Sequence, residues 1–229
     1  MKIGGYQKYS RTDFPGKTAA VIFTQGCGWR CPFCHNRALV YPARFQPAVP
    51  EQEIFDQLEL HQDEIEAVVV TGGEPTLQSG LVDFFRRVRK LGFATKLETN
   101  GSHPEVLSQL FDEGLLDYIA MDVKGPLSDY KRFAGCDVDT GTIELSIELI
   151  KQSKVRYEFR TTLVGGLHTR EHINQLAPLM YGVSRYAVQS YRMPPSDFRA
   201  QPTFTPPDQE LFQTASEALR DQVEEFLVR

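Results

Sequence analysis

Short β-branched, apolar runs alternate along this chain with segments whose apolar residues recur at helical spacing. Residues 18–24 form a continuous apolar run and predict a buried strand. Residues 51–60 follow Pro50 and carry Ile54 and Leu58 on one face, which predicts a helix. The run at 67–71 predicts a second buried strand, stopped by Gly72 and Gly73. An amphipathic helix is expected at 78–90, with Leu81, Phe84, Phe85 and Val88 inward. Residues 93–99 predict a third strand, closed by the turn signal Asn100–Gly101, and a helix at about 103–112 follows. A strand at 118–123, a helix at 142–151 and a strand at 156–164 come next. After these come a helix near 170–180 and a strand at 185–190. The Pro-rich stretch 194–207 reads as a loop, and 208–227 as a helix with Leu211, Ala215, Leu219, Val223 and Phe226 inward.

Strand–helix alternation of this kind implies parallel strands joined by helical crossovers. About six units are too few for a closed eight-unit barrel, so an open or partial barrel, or a doubly wound sheet, fits the count. In either arrangement function collects beyond the C-terminal ends of the strands. The polar punctuation agrees: cysteines follow the first strand, Gly72-Gly73-Glu74-Pro75 the second, and Glu98-Thr99-Asn100-Gly101 the third, while Asp122-Val123-Lys124 ends the fourth. A single domain over 1–229 is expected, with its core at about 16–192.

Composition narrows the partners. The chain has 229 residues, 41% apolar and 24% charged, which suits an ordinary globular protein. Its net charge of −5 makes a nucleic-acid phosphate backbone a poor partner. No apolar run is long enough to span a bilayer, and no apolar stretch follows Lys2 as a signal peptide requires, so no membrane association and a cytoplasmic location are expected. The four cysteines make no disulfide scaffold.

Cys27, Cys31 and Cys34 fall within eight residues at C-x3-C-x2-C spacing, and Cys136 stands apart. Soft thiolates bind zinc, copper(I) or iron–sulfur clusters. A structural zinc needs a fourth ligand, for which His35 or Cys136 could serve. Most 4Fe-4S cubes carry four cysteines, so three leave one iron with an open position.

C-x3-C-x2-C with an aromatic before the last cysteine resembles the signature of radical S-adenosylmethionine (SAM) enzymes. Gly-Cys-x-x-Arg-Cys-x-x-Cys-His-Asn at 26–36 and Asp13-x-Pro-Gly resemble the glycyl-radical-enzyme activases among them. The opening Ile3-Gly4-Gly5-Tyr6-Gln7-Lys8 is most similar to activases of the anaerobic ribonucleoside-triphosphate reductase.

The resemblance implies a partial (β/α)6 barrel and an oxidoreductase that cleaves SAM reductively. The resulting 5′-deoxyadenosyl radical would take hydrogen from a glycine of a partner enzyme. It implies Cys27, Cys31 and Cys34 as ligands of one cluster, with Phe33 near the adenine or simply anchoring the loop. Gly72, Gly73 and Glu74 would receive the SAM ammonium. Glu98, Thr99 and Asp122 match positions that hold a monovalent cation in formate-lyase-type activases, although those relatives carry Asp in place of Glu98. Lys124 would face the SAM carboxylate, and Arg160 would lie near SAM and substrate. Gln189 and Arg192 are weaker candidates, Arg192 standing near where relatives have a histidine.

The implied partners are a glycyl radical enzyme, here a class III ribonucleotide reductase, and a flavodoxin or ferredoxin-type electron donor. Alternatives are an activase of the pyruvate formate-lyase type, a small-molecule enzyme of the deazaguanine synthase type, and a zinc-binding interaction domain. Cys136 is expected to stay outside the cluster. His61, His103, His168 and His172 read as surface or capping residues. Arg86, Arg87 and Arg89 read as a solvated helix face, with a docking patch for the electron donor as the alternative.

Overall fold

The computed structural model describes residues 1–193 and 204–229; most of the Pro-rich stretch expected to be a loop lies outside them. In chain order the elements are β1 (Ile3–Phe14), β2 (Lys17–Thr24), α1 (Arg37–Val40), α2 (Glu51–Leu60), β3 (Ala67–Gly72), α3 (Leu81–Lys90), β4 (Ala94–Thr99) and α4 (Pro104–Asp112). They continue with β5 (Tyr118–Asp122), α5 (Tyr130–Ala134), α6 (Thr140–Gln152), β6 (Arg156–Leu163), α7 (Arg170–Leu176), β7 (Arg185–Ser190), α8 (Gln209–Leu219) and β8 (Glu225–Val228). Among the described residues no helix is long and apolar enough to cross a membrane.

The chain divides into two units, each drawn from separate stretches of sequence. The first comprises Met1–Gly28, Asn36–Ala120 and Thr142–Arg156, and the second Trp29–His35, Met121–Gly141 and Tyr157–Arg229. In the first unit β2, β3 and β4 are parallel neighbours in chain order, with Val21 opposite Val69 and Val69 opposite Lys96. One face of this sheet carries a core of Phe14, Ala19, Val21, Ala67, Val69 and Tyr118. Phe84 and Phe85 of α3 and Ile54 and Leu58 of α2 are also buried, as their helical spacing predicts, and Phe55 of α2 is buried with them. In the second unit β6, β7 and β8 are parallel neighbours.

Two strands were not expected. β1 pairs antiparallel with β2, and Phe14 faces Lys17 across the two-residue turn Pro15–Gly16. Gly16 has φ of 77°, and proline followed by such a glycine suits a type II turn. The upstream Asp-x-Pro-Gly motif is thus a hairpin corner. The register of β1 shifts three times, so no polar–apolar alternation marks it. The second correction is the C-terminal helix. α8 stops at Leu219, and Glu225–Val228 pair with Arg185–Val188 of β7 instead of extending the helix to 227. The unpaired edge of β7 takes up the β-favouring Phe226, Leu227 and Val228, so pairing overrides helical spacing.

Candidate active site

In the first unit, Cys27 stands beside the ends of β3 and β4. Gly73 N–H donates to the Thr24 carbonyl at 2.8 Å, and Glu74 N–H donates to the Gly26 carbonyl at 2.8 Å. This closeness dictates the glycine pair. A Cβ on Gly73 would overlap the Gly26 carbonyl, and one on Gly72, whose φ is 115°, would overlap the Thr24 backbone.

Glu74 is 1% exposed. Its Oε1 accepts from Thr76 N–H at 3.1 Å, Thr76 Oγ1 at 2.5 Å and Thr99 Oγ1 at 2.7 Å, and its Oε2 accepts from Asn100 N–H at 2.8 Å. A buried carboxylate engaged by four donors clasps the ends of β3 and β4 together. Asn100 was not singled out from the sequence beyond its turn propensity. Its Oδ1 accepts from Ser102 N–H at 2.9 Å, which fixes the amide orientation, and its Nδ2 then points at Cys27 Sγ, 3.8 Å away.

Glu98 and Thr99 leave β4 on opposite faces, as successive strand residues do. Thr99 turns to Glu74, whereas Glu98 meets Lys96 Nζ at 2.8 Å and the Thr71 hydroxyl at 3.2 Å. Arg86, Arg87 and Arg89 each pair with an acid (Glu113, Glu51 and Asp117), so their charge is matched locally.

The second unit holds Cys31 and Cys34. Cys34 N–H donates to the Cys31 carbonyl at 3.1 Å, and Arg30 N–H donates to the Ala134 carbonyl at 2.8 Å, which pins the loop to the end of α5. Gly135 caps α5 with φ of 70°, pressed against the Arg30 carbonyl. Phe33 is buried among Phe133, Val164, Leu167, Tyr191 and Phe204, with Cys31 at the margin. That is the placement of a loop anchor. Cys136 follows Gly135 and is half-buried.

Asp122, at the end of β5, lies between two cations. Its Oδ1 accepts from Arg160 Nε at 2.8 Å and its Oδ2 from Lys124 Nζ at 2.9 Å. Arg160 Nη1 also lies 4.0 Å from Glu158 Oε1, so the two cations are shared between two carboxylates. Burial works against the Lys124 ammonium, but Asp122 and then the charge of Cys31 outweigh it, so its pKa is raised.

His168 corrects the surface reading. It is 5% exposed, its Nδ1 accepts from Val164 N–H at 3.1 Å, and its ring lies against Phe133 and Phe33. With Nδ1 accepting, Nε2 carries the proton and donates to the Lys124 carbonyl at 3.0 Å. Burial, above all, lowers its pKa to about 4, so the ring is neutral. His172 does cap α7, with Thr169. His35 packs on Tyr191 at 5.4 Å, and burial, then Arg192 and Lys124, lower its pKa. With Gln189, Ser190, Thr162, Arg192 and Arg229 it lines an open pocket of about 300 Å³.

The donor chemistry suits an iron–sulfur cluster: in the first unit Cys27 lies under an amide N–H, and in the second Cys31 lies beside an ammonium. Among the described residues no three His, Cys, Asp or Glu side chains group closely enough to hold a single metal ion. A cluster differs in taking one thiolate per iron.

The family model described as Radical SAM superfamily matches residues 21–180. A Methanocaldococcus jannaschii protein named "Putative glycyl-radical enzyme activating enzyme" is 36% identical over 195 residues, 82% of this chain and 79% of the relative. The 7-carboxy-7-deazaguanine synthase of Thermococcus kodakarensis is 25% identical over 197 residues, covering 76% of this chain and 74% of that protein. Streptococcus suis SuiB, solved bound to S-adenosylmethionine, superposes with a TM-score of 0.67 at 16% identity, over 91% of this chain and 49% of SuiB. The chain thus spans about half the length of SuiB, and that likeness shows the fold alone: α/β, with parallel strands and helical crossovers.

Proposed function

This chain belongs to the radical SAM superfamily and, within it, to the glycyl-radical-enzyme activating enzymes; on that premise we propose that it installs a glycyl radical on an anaerobic ribonucleoside-triphosphate reductase. Membership makes it an oxidoreductase whose family uses an iron–sulfur cluster and SAM. When bound and reduced, a 4Fe-4S cluster supplies the electron that splits the SAM sulfonium into methionine and a 5′-deoxyadenosyl radical, which takes a hydrogen atom from glycine.

In this reading Cys27, Cys31 and Cys34 hold the cluster, and the Asn100 amide donates to the Cys27 sulfur. The observation that carries the reading is the Lys124–Asp122–Arg160 group with the C-x3-C-x2-C loop. Lys124 would face the SAM carboxylate as a point charge, and Asp122 holds Lys124 and Arg160 in place. His168 fixes the Lys124 backbone. Gly72 and Gly73 offer backbone carbonyls to the SAM ammonium, while the charge of Glu74 is spent on clasping strand ends. Phe33 anchors the loop and presents its surroundings to the adenine.

The opening Ile3-Gly4-Gly5-Tyr6-Gln7-Lys8 favours the reductase partner over a pyruvate formate-lyase type, and the Cys34-His35-Asn36 run favours an activase over the deazaguanine synthase type. A flavodoxin or ferredoxin-type protein supplies the electron, in the cytoplasm. The deazaguanine synthase type is the second reading, favoured by the 25% identity over 76% of the chain and outweighed by 36% over 82% for the activase relative. The test is deuterium transfer. A reductase made with deuterated glycine should pass deuterium into 5′-deoxyadenosine, and unlabelled product would overturn the partner assignment.

A further inference from the structure

Lys96 lies on β4 and is 3% exposed, an unusual place for an ammonium unless it is paired. Its Nζ stands 2.8 Å from Glu98 Oε1, 2.5 Å from the Asp13 carbonyl oxygen and 5.5 Å from the centre of the Tyr118 ring. Two oxygens and an aromatic face surround the three donors of the ammonium. The other Glu98 oxygen accepts from the Thr71 hydroxyl.

These contacts do not fit the exchangeable monovalent cation that formate-lyase-type activases hold at the matching positions. Glu98 is matched by Lys96. Thr99 points from the opposite face of β4 and is committed to Glu74. In its own unit, Asp122 is matched by Arg160 and Lys124. An added cation would have to displace a protein cation held at high effective concentration by its own backbone.

We infer that Lys96 is a tethered cation that neutralises Glu98 in place of an exchangeable ion, and that the chain binds SAM without one. The second half rests on the SAM-binding reading, and the first does not. The experiment uses the reconstituted holoprotein and rubidium chloride as the probe. Bound rubidium is counted by elemental analysis after equilibration, with and without SAM. Wild type should retain far less than one rubidium per chain, and folded Lys96→Met should take up either rubidium or a proton, since a buried carboxylate that loses its ammonium is neutralised by one or the other. One rubidium per wild-type chain overturns the inference, and so does folded Lys96→Met that neither retains rubidium nor loses more stability than wild type as pH rises, as a protonated Glu98 would make it do.

A second measurement needs only wild type. The SAM dissociation constant should agree within about twofold between potassium chloride and N-methylglucamine chloride at equal ionic strength, whereas a loss of about tenfold, roughly 1.4 kcal/mol, overturns the inference. Failure of SAM to bind in either salt refutes the SAM reading, and the rubidium count still decides the role of Lys96.

Discussion

Glu74→Gln keeps the shape of the side chain and removes its charge and one acceptor. The amide oxygen can occupy only one of the two carboxylate positions. In the Oε1 position it leaves its NH2 facing the Asn100 N–H; in the Oε2 position the NH2 faces the Thr76 N–H. The Thr76 and Thr99 hydroxyls can rotate to become acceptors, but a backbone N–H cannot. Either way one buried backbone donor goes unpaired, at a cost of about 1–3 kcal/mol, and the remaining bonds lose charge assistance worth about 1 kcal/mol. The total is about 2–4 kcal/mol. For a chain of this size each kcal/mol moves Tm by about 2–4 °C, so a fall of about 4–16 °C is expected. The assay is anaerobic unfolding of the reconstituted protein, paired with SAM titration. SAM affinity should fall by less than about tenfold, equivalent to about 1.4 kcal/mol. Unchanged stability with a loss of affinity near a hundredfold, about 2.8 kcal/mol, would refute the clasp and make Glu74 a ligand group.

Cys31→Ala should abolish SAM cleavage, while Cys136→Ala leaves the iron content and cleavage intact; loss of the cluster in Cys136→Ala would break the three-cysteine assignment. Gly73→Ala should push the Gly26 carbonyl away and lower the iron retained on reconstitution, and full iron retention in that variant would contradict the steric argument. His168 titrates near 6.5 when unfolded and at about 4 when folded, so the unfolded state binds more protons between those values. Stability should therefore fall as pH drops from 6.5 toward about 4, by about 3 kcal/mol in full, and His168→Gln should flatten this slope relative to wild type. Parallel slopes for the two proteins in urea unfolding would remove His168 as the cause.

Where one physical demand dominated, the fold could be read from the residues. Val68–Thr71 is β-branched and Ala67–Val70 is buried on both faces, and the apolar spacing of Leu81, Phe84, Phe85 and Val88 suits one helix face. β1 was hidden because two glycines, five polar residues between Gln7 and Thr12 excluding Tyr9, and successive bulges erase its period. β8 was hidden because Val223 and Phe226 continue a helical spacing that the edge of β7 overrides.

The candidate site shows the same division. The thiol spacing is local and legible. The partners of Glu74 are not, since an acid after Gly-Gly reads the same whether it meets a ligand or two threonines. The resemblance grouped Glu98 and Thr99 at one cation site, whereas adjacent strand residues point to opposite faces. Nothing near His168 in the sequence distinguishes a buried bridge from a capping residue, and its burial depends on Phe33 and Phe133 arriving from distant segments.

A glycyl radical made by this chain on a partner protein is directly observable. The reconstituted enzyme should be mixed anaerobically with SAM, a reductant and a class III ribonucleotide reductase, then examined by electron paramagnetic resonance. A glycyl doublet should appear on the reductase and disappear with Cys31→Ala. Formation of 5′-deoxyadenosine without a protein radical on this or any other glycyl radical enzyme would contradict the proposed activity.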